Sequence, residues 1–202
     1  MIKTTCYLAI GTLFLTSWLP VSASLEIGAS IPKADEKLRD ISGKDVSLNS
    51  AKRGNGLLVI FSGNSCPYVI RNQQRTSNIC NYAHKNNIGV ILVNANEAIR
   101  NEGESLQAMK AYAAQQHYNW FYVLDKNAVI ADAFDANHTP ECFLFDKNGR
   151  LVYKGGIDDN PGNESAVKAQ YLQNAVNNLL SGNGIAVNTT NSLGCSIKRQ
   201  RN

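Results

Sequence analysis

The feature that most constrains the fold is one cysteine placed between an apolar run and a helix-like segment. Residues 57–61 are continuously apolar, as in a strand covered on both faces, and Pro67 suits the first turn of a helix that should end near His84. Cys66 stands at the junction, so its thiol faces the helix N-terminus, where free N–H groups and partial positive charge favour the thiolate. Because the thiolate is the nucleophilic form, Cys66 is a candidate reactive residue.

The rest of the chain alternates short strands with helices. Hairpins are predicted over residues 38–48 and 142–153, single strands over 89–93 and 120–124, and helices over 104–116, 129–134 and 165–180. This order predicts an α/β fold with a central mixed sheet, helices on its faces and an N-terminal hairpin. The segment 183–202 shows little periodicity, so we expect a loose tail unless Cys195 ties it down.

The N-terminus has the pattern of a secretory signal. Lys3 is the only charge in residues 1–23, residues 8–19 are apolar, and residues 21–23 fit a small-x-small cleavage site. The alternative is a membrane anchor, but the apolar run falls short of the ~20 residues that a span needs. We therefore predict a signal peptide over 1–23, one domain over 24–182 and a tail over 183–202. The protein is then periplasmic or secreted, without stable membrane insertion after signal removal.

The charge argues against nucleic acid as a partner. The formal net charge is +4 and falls to +3 when Lys3 is removed with the predicted signal. This excess is small and forms no pattern along the chain, whereas nucleic-acid-binding proteins carry concentrated basic patches.

Four segments of the chain resemble one superfamily. They are residues 64–69, 139–146, 151–159 and 194–198. Together they resemble the thioredoxin-like superfamily, and within it a bacterial group of redoxins and peroxiredoxin-like proteins. The resemblance implies a thioredoxin-like fold with Cys66 as the attacking thiol. It also implies a cis Pro140 beside that thiol, with Thr139 and Pro140 presenting backbone groups to a substrate strand.

The chain departs from the patterns of its relatives at several positions. Thioredoxins have a second cysteine at the position of Val69, and the redoxin group often has one at the position of Gly63. Cys66 therefore lacks the nearby cysteine with which these proteins form a disulfide across three residues. Peroxiredoxins have a threonine where Gly63 stands and an arginine near Thr139, and these residues stabilise charge on the peroxide oxygen. The buried acid of thioredoxins falls at Ile60, which leaves Glu141 as the nearest candidate base.

A second thiol for Cys66 must come from elsewhere in the mature chain. Cys80 follows 14 residues later on the same helix, about 21 Å away, whereas a disulfide needs Cα atoms within ~7 Å. Cys195 lies in a tail that can reach many places, and its segment is one of the four that carry the resemblance. We favour Cys195 as a resolving thiol, while a structural bridge from Cys195 to Cys80 or Cys142 stays open.

No metal or other cofactor is predicted. Cys66 and His138 could come together, but two ligands without a Cys-x-x-x-Cys spacing make a weak metal motif.

The leading hypothesis is an exported thioredoxin-like thiol-disulfide oxidoreductase. In it, Cys66 attacks disulfides or oxidised thiols of proteins or small molecules, and a second thiol or an external thiol reductant completes turnover. Two alternatives remain. One is a one-cysteine thiol peroxidase. The other is a non-enzymatic thioredoxin-like binding domain, which the absence of cysteine at positions 63 and 69 favours.

Overall fold

A computed structural model describes residues 24–200, so the predicted signal segment lies outside the described residues. The strands in this range are β1 (Leu38–Asp40), β2 (Asp45–Val46), β3 (Gly56–Phe61), β4 (Ile88–Asn94), β5 (Phe121–Leu124), β6 (His138–Thr139), β7 (Glu141–Phe145), β8 (Leu151–Gly155) and β9 (Cys195–Ser196). The α-helices are α1 (Leu48–Ala51), α2 (Pro67–Lys85), α3 (Leu106–Gln115), α4 (Val129–Phe134) and α5 (Tyr171–Leu180). Single-turn 3-10 helices lie at Glu97–Ile99, Lys126–Ala128 and Glu164–Ala166.

Seven strands form one mixed sheet in the order β2-β1-β5-β4-β3-β7-β8. The central strand β3 runs parallel to β4 and antiparallel to β7. All six residues of β3 are buried, which explains its uninterrupted apolar sequence. The predicted α/β fold with a mixed central sheet and an N-terminal hairpin is confirmed.

The two faces of the sheet carry separate hydrophobic cores. Side chains of α1 and α4 pack on one face with Leu57, Val59 and Phe61. Side chains of α2, α3 and α5 pack on the other face with Leu58 and Ile60. Successive side chains of β3 point to opposite faces of the sheet, so the strand that leads to Cys66 is covered by helices on both sides.

Two predicted helices begin later than expected. The helix predicted from residue 104 begins at Leu106, because the Ser105 side chain caps it by accepting a hydrogen bond from the Ala108 N–H. The helix predicted from residue 165 begins at Tyr171. The backbone before it is bonded to Asp159 instead, since the Asp159 side chain accepts from the Lys168 N–H at 2.9 Å.

The tail is ordered along the domain surface in its described part. Residues of β9 pair antiparallel with β6, and the following Ile197 is 6% exposed and packs in the core. Arg199 forms an ion pair with Asp132 at 2.7 Å. Cys195 thus lies in the strand that holds the tail. No helix within residues 24–200 combines the length and apolarity needed to cross a bilayer.

Candidate functional site

Cys66 is the residue immediately before α2. Its backbone is extended, and Pro67 occupies the first helical position, where a missing N–H costs nothing. Strand β3 ends at Phe61, and residues 62–65 form the loop that connects it to Cys66 and α2. Cys66 is only 5% exposed, so the thiol lies beneath other parts of the chain.

The Thr139–Pro140 segment lies directly against the thiol. The peptide bond between these two residues is cis, and both residues are buried. The Cys66 thiol donates a hydrogen bond to the Thr139 carbonyl oxygen, with a sulfur-to-oxygen distance of 3.1 Å. The Thr139 hydroxyl is buried and has no hydrogen-bond partner among residues 24–200, so it is free to donate to the Cys66 sulfur when the thiol ionises.

Cys195 reaches the same place through the tail strand. In the pairing of β6 with β9, Thr139 lies opposite Cys195 and His138 lies opposite Ser196. A side chain on Gly194 would overlap the Thr139 carbonyl, so only glycine lets the tail approach this closely. Cys66 and Cys195 are both free thiols, and Cys195 is the more exposed of the two.

The surroundings of the two thiols shift their pKa values in opposite directions. Burial alone raises the pKa of Cys66, but the side chains of Cys195 and Thr139 and the N–H groups of Val69 and Cys195 outweigh it and lower that pKa. Burial and the neighbouring Cys66 sulfur raise the pKa of Cys195. Cys66 is therefore the thiol that ionises first, and Cys195 supplies hydrogen bonds to its thiolate.

A fully buried carboxylate supports the loop in front of Cys66. Glu104 accepts hydrogen bonds from the N–H groups of Asn64 and Ser65, both at 3.0 Å, and from the Ser65 hydroxyl at 2.5 Å. The Asn94 side-chain amide donates a further bond at 2.6 Å. The sequence predicts Glu104 as the first residue of a helix, because nothing local distinguishes a glutamate in the first helical turn from one that precedes the capping Ser105 and turns into the loop.

The loop and the tail are joined through Asn96. A side chain at position 63 would overlap the Asn96 amide nitrogen, which fills the space that Gly63 leaves. The Asn96 side-chain oxygen accepts a hydrogen bond from the Lys198 N–H at 2.9 Å. Glycine at position 63 therefore leaves room for a contact that holds the tail near Cys66.

The remaining cysteines lie in the hydrophobic core. Cys80 on α2 and Cys142 on β7 are both fully buried, and burial raises the pKa of each well above that of an ordinary thiol. Both stay protonated near neutral pH, which makes them poor nucleophiles.

The other candidate residues have structural contacts. The Glu141 carboxylate accepts from the N–H groups of Asn137 and His138, at 2.8 and 3.0 Å, and so closes the loop before β6. Among residues 24–200, no group of three or more His, Cys, Asp or Glu side chains could hold a metal ion.

Comparison with known proteins identifies the family. The family model described as Redoxin matches residues 26–171. The thiol-disulfide oxidoreductase ResA of Geobacillus kaustophilus is 24% identical over 143 residues, covering 71% of this chain and 76% of that protein. ResA of Bacillus subtilis is 30% identical over 115 residues, covering 57% of this chain and 60% of that protein.

Solved structures share the fold of this chain. A hypothetical protein of Sinorhizobium meliloti superposes with a TM-score of 0.81 at 30% identity, over 89% of this chain and 98% of the other. The thioredoxin domain of a thiol-disulfide oxidoreductase from Bacteroides vulgatus has a TM-score of 0.54 at 22% identity, over 65% and 89% of the two chains. The latter likeness concerns the fold alone and confirms the expected thioredoxin-like architecture.

Proposed function

This chain belongs to the Redoxin family, and on that basis we propose that it is a thiol-disulfide oxidoreductase whose redox pair is Cys66 and Cys195. One observation carries the proposal. The register of β6 with β9 puts Cys195 opposite Thr139, whose carbonyl oxygen is hydrogen-bonded to the Cys66 thiol. Two thiols thus meet at a helix N-terminus, although the sequence has no cysteine at either of the usual neighbouring positions.

Cys66 is the nucleophile of the pair. Its lowered pKa increases the fraction of thiolate relative to an ordinary cysteine, and the N–H groups around it stabilise the negative charge. A substrate disulfide oxidises the pair in two exchange steps. The first forms a mixed disulfide between the protein and the substrate and releases one substrate sulfur as a thiolate. In the second, the Cys66–Cys195 bond forms, the bond to the substrate breaks, and the other substrate sulfur leaves as a thiolate; each released thiolate takes up a proton. An external thiol reductant returns both cysteines to thiols. The substrates are thiols and disulfides of proteins or small molecules.

Thr139 and Pro140 have a positioning role in this proposal. The Thr139 backbone pairs with the strand that carries Cys195 and accepts a hydrogen bond from the Cys66 thiol, and Pro140 follows it through a cis peptide bond. Direct binding of a substrate strand at these two residues stays a prediction. The pairing edge of Thr139 is taken by the chain's own tail, so a substrate strand could bind there only if the tail moved away.

Export is part of the same proposal. The features of residues 1–23 predict a signal peptide, and a compartment without cytosolic reductants lets a disulfide persist. Mass spectrometry of protein from the periplasm or medium tests this point, and we expect a mature N-terminus at Ser24. Full-length protein retained in the cytosol would contradict export without affecting the redox pair.

Exchange kinetics test the proposed activity. The mature protein should catalyse exchange between a dithiol and a disulfide substrate, and Cys66→Ala should reduce the rate to that of the uncatalysed reaction. Cys195→Ala should also lose turnover, whereas Ser196→Ala, at the neighbouring exposed position, should keep it. A Cys195→Ala variant with the full rate would show that the proposed pair is wrong.

A further inference from the structure

The C-terminal strand takes the edge on which a substrate strand would dock. An extended segment can add to a free strand edge through backbone hydrogen bonds. The edge of β6 next to Pro140 is paired with β9 of the same chain. Gly194 also packs on the Thr139 carbonyl at a distance that leaves no room for a side chain. This edge is therefore closed to an external strand while the tail is in place.

The tail is fixed on both sides of Cys195. After it, the Ile197 N–H donates to the Asn137 carbonyl oxygen at 3.0 Å, and the Ile197 side chain is buried in the core. Before it, the Thr190 N–H donates to the Lys154 carbonyl oxygen at 3.0 Å, and the Thr190 hydroxyl accepts from the Gly156 N–H at the same distance. Releasing the strand would break these bonds and expose a buried isoleucine, so the folded protein keeps it in place.

The two sulfurs of the pair consequently differ in access. Cys66 is 5% exposed and is hydrogen-bonded by Cys195 of the tail, whereas Cys195 itself is half-buried. We propose that external partners exchange with the redox pair at Cys195, while Cys66 stays beneath the C-terminal strand. The proposal rests on the proposed Cys66–Cys195 pair and specifies which sulfur forms the bond with the partner.

The reduction of the disulfide then proceeds in two balanced steps. The thiolate of an external thiol attacks the Cys195 sulfur, the bond to Cys66 breaks, and its electron pair leaves with Cys66 as a thiolate. A second external thiolate attacks the partner sulfur of the mixed disulfide and releases Cys195, which takes up a proton. Two external thiols become one disulfide, and the protein gains two thiols. In the reverse direction, the Cys195 thiolate attacks an external disulfide and releases one external thiolate. Cys66 then attacks the Cys195 sulfur of the mixed disulfide, and the second external thiolate leaves.

The relative leaving ability of the two cysteines supports this order. The thiol with the lower pKa is the better leaving group, and Cys66 has the lowered pKa of the pair. Attack at the more accessible sulfur therefore also expels the more stable thiolate. An external thiolate that attacked Cys66 would have to pass the tail, and it would expel Cys195, whose pKa is raised.

A quenching experiment with glutathione tests the proposal. The oxidised mature protein is first mapped to verify the Cys66–Cys195 disulfide, then mixed with reduced glutathione, quenched with acid at early times and mapped again. We expect glutathione on Cys195 in about tenfold or greater excess over Cys66. Glutathione on Cys66, or equal amounts on both, would overturn the proposal and leave the redox pair standing. Failure of the initial disulfide to form would instead overturn the redox pair and this inference together.

Discussion

Thr139 and Cys195 are direct partners in the antiparallel pairing of β6 with β9. The same Thr139 accepts a hydrogen bond from the Cys66 thiol through its carbonyl oxygen. One residue therefore contacts both members of the proposed redox pair, and the position of the tail strand decides whether the pair exists.

Ionisation of Cys66 should depend on Cys195. Replacing Cys195 with alanine removes a side-chain hydrogen bond that lowers the pKa of Cys66, so that pKa should rise towards its ordinary value. The thiolate fraction at neutral pH should therefore fall. Thiolate absorbance near 240 nm, followed against pH, measures the shift, and Ser196→Ala serves as the control. An unchanged titration curve for Cys66 in Cys195→Ala would contradict the proposed contact.

Glycine at position 194 should be required for efficient formation of the Cys66–Cys195 disulfide. In Gly194→Ala the new methyl group overlaps the Thr139 carbonyl and pushes β9 away from β6, at a cost of about 1–3 kcal/mol. Disulfide formation under mild oxidation should slow, as measured by loss of free thiols.

Gly184→Ala is the matched control because its new methyl group meets no atom within 4 Å. Equal rates of disulfide formation in the two variants would show that the close approach of Gly194 to Thr139 does not affect the Cys66–Cys195 disulfide.

Burial of Ile197 should protect Cys66 from large reagents. Ile197→Ala removes a side chain that holds the tail in the core, so local opening of the tail becomes more frequent. Cys66 should then react faster with a bulky maleimide, read by peptide mass spectrometry. Val187→Ala, at a position of the tail that is 52% exposed, should react like the wild type. Circular dichroism checks that both variants stay folded, and identical labelling of Cys66 in both would refute shielding by the tail.

The Glu104 carboxylate should stabilise the loop in front of Cys66. Glu104→Gln replaces an acceptor of four hydrogen bonds with a neutral amide, which leaves buried donors poorly paired. We expect a loss of about 1–3 kcal/mol in the free energy of unfolding, measured by denaturant titration. Glu102→Gln, at an exposed neighbouring position, should change it by less than about 0.5 kcal/mol. Equal stabilities of the two variants would mean that the buried contacts contribute nothing.

The fold was largely predictable because its strongest signals are local. The apolar run ending at Phe61, Pro67 at the helix start and the turn sequence 146–149 each specify an element without reference to distant residues. The start of the last helix was not predictable, since the bond from Lys168 to Asp159 competes with helical bonding only once the chain has folded.

The placement of Cys66 beside Thr139 could be predicted, whereas the residues that surround the pair could not. The junction sequence indicates Cys66, and its relation to Thr139 followed from the resemblance. Burial of Glu104 and the place of Cys195 depend on loop and tail contacts between residues far apart in the chain, and no local pattern encodes them. At the level of sequence Gly63 is only a departure from the patterns of the relatives, because its packing against Asn96 requires the folded loop.

Peptide mapping of the oxidised mature protein under non-reducing conditions tests the central claim most directly. The protein is oxidised mildly, remaining thiols are alkylated, and the cross-linked peptides are identified by mass spectrometry. The account predicts one disulfide between Cys66 and Cys195, with Cys80 and Cys142 alkylated only after unfolding. A disulfide from Cys66 to Cys80 or Cys142, or an oxidised protein in which Cys195 stays free, would contradict it.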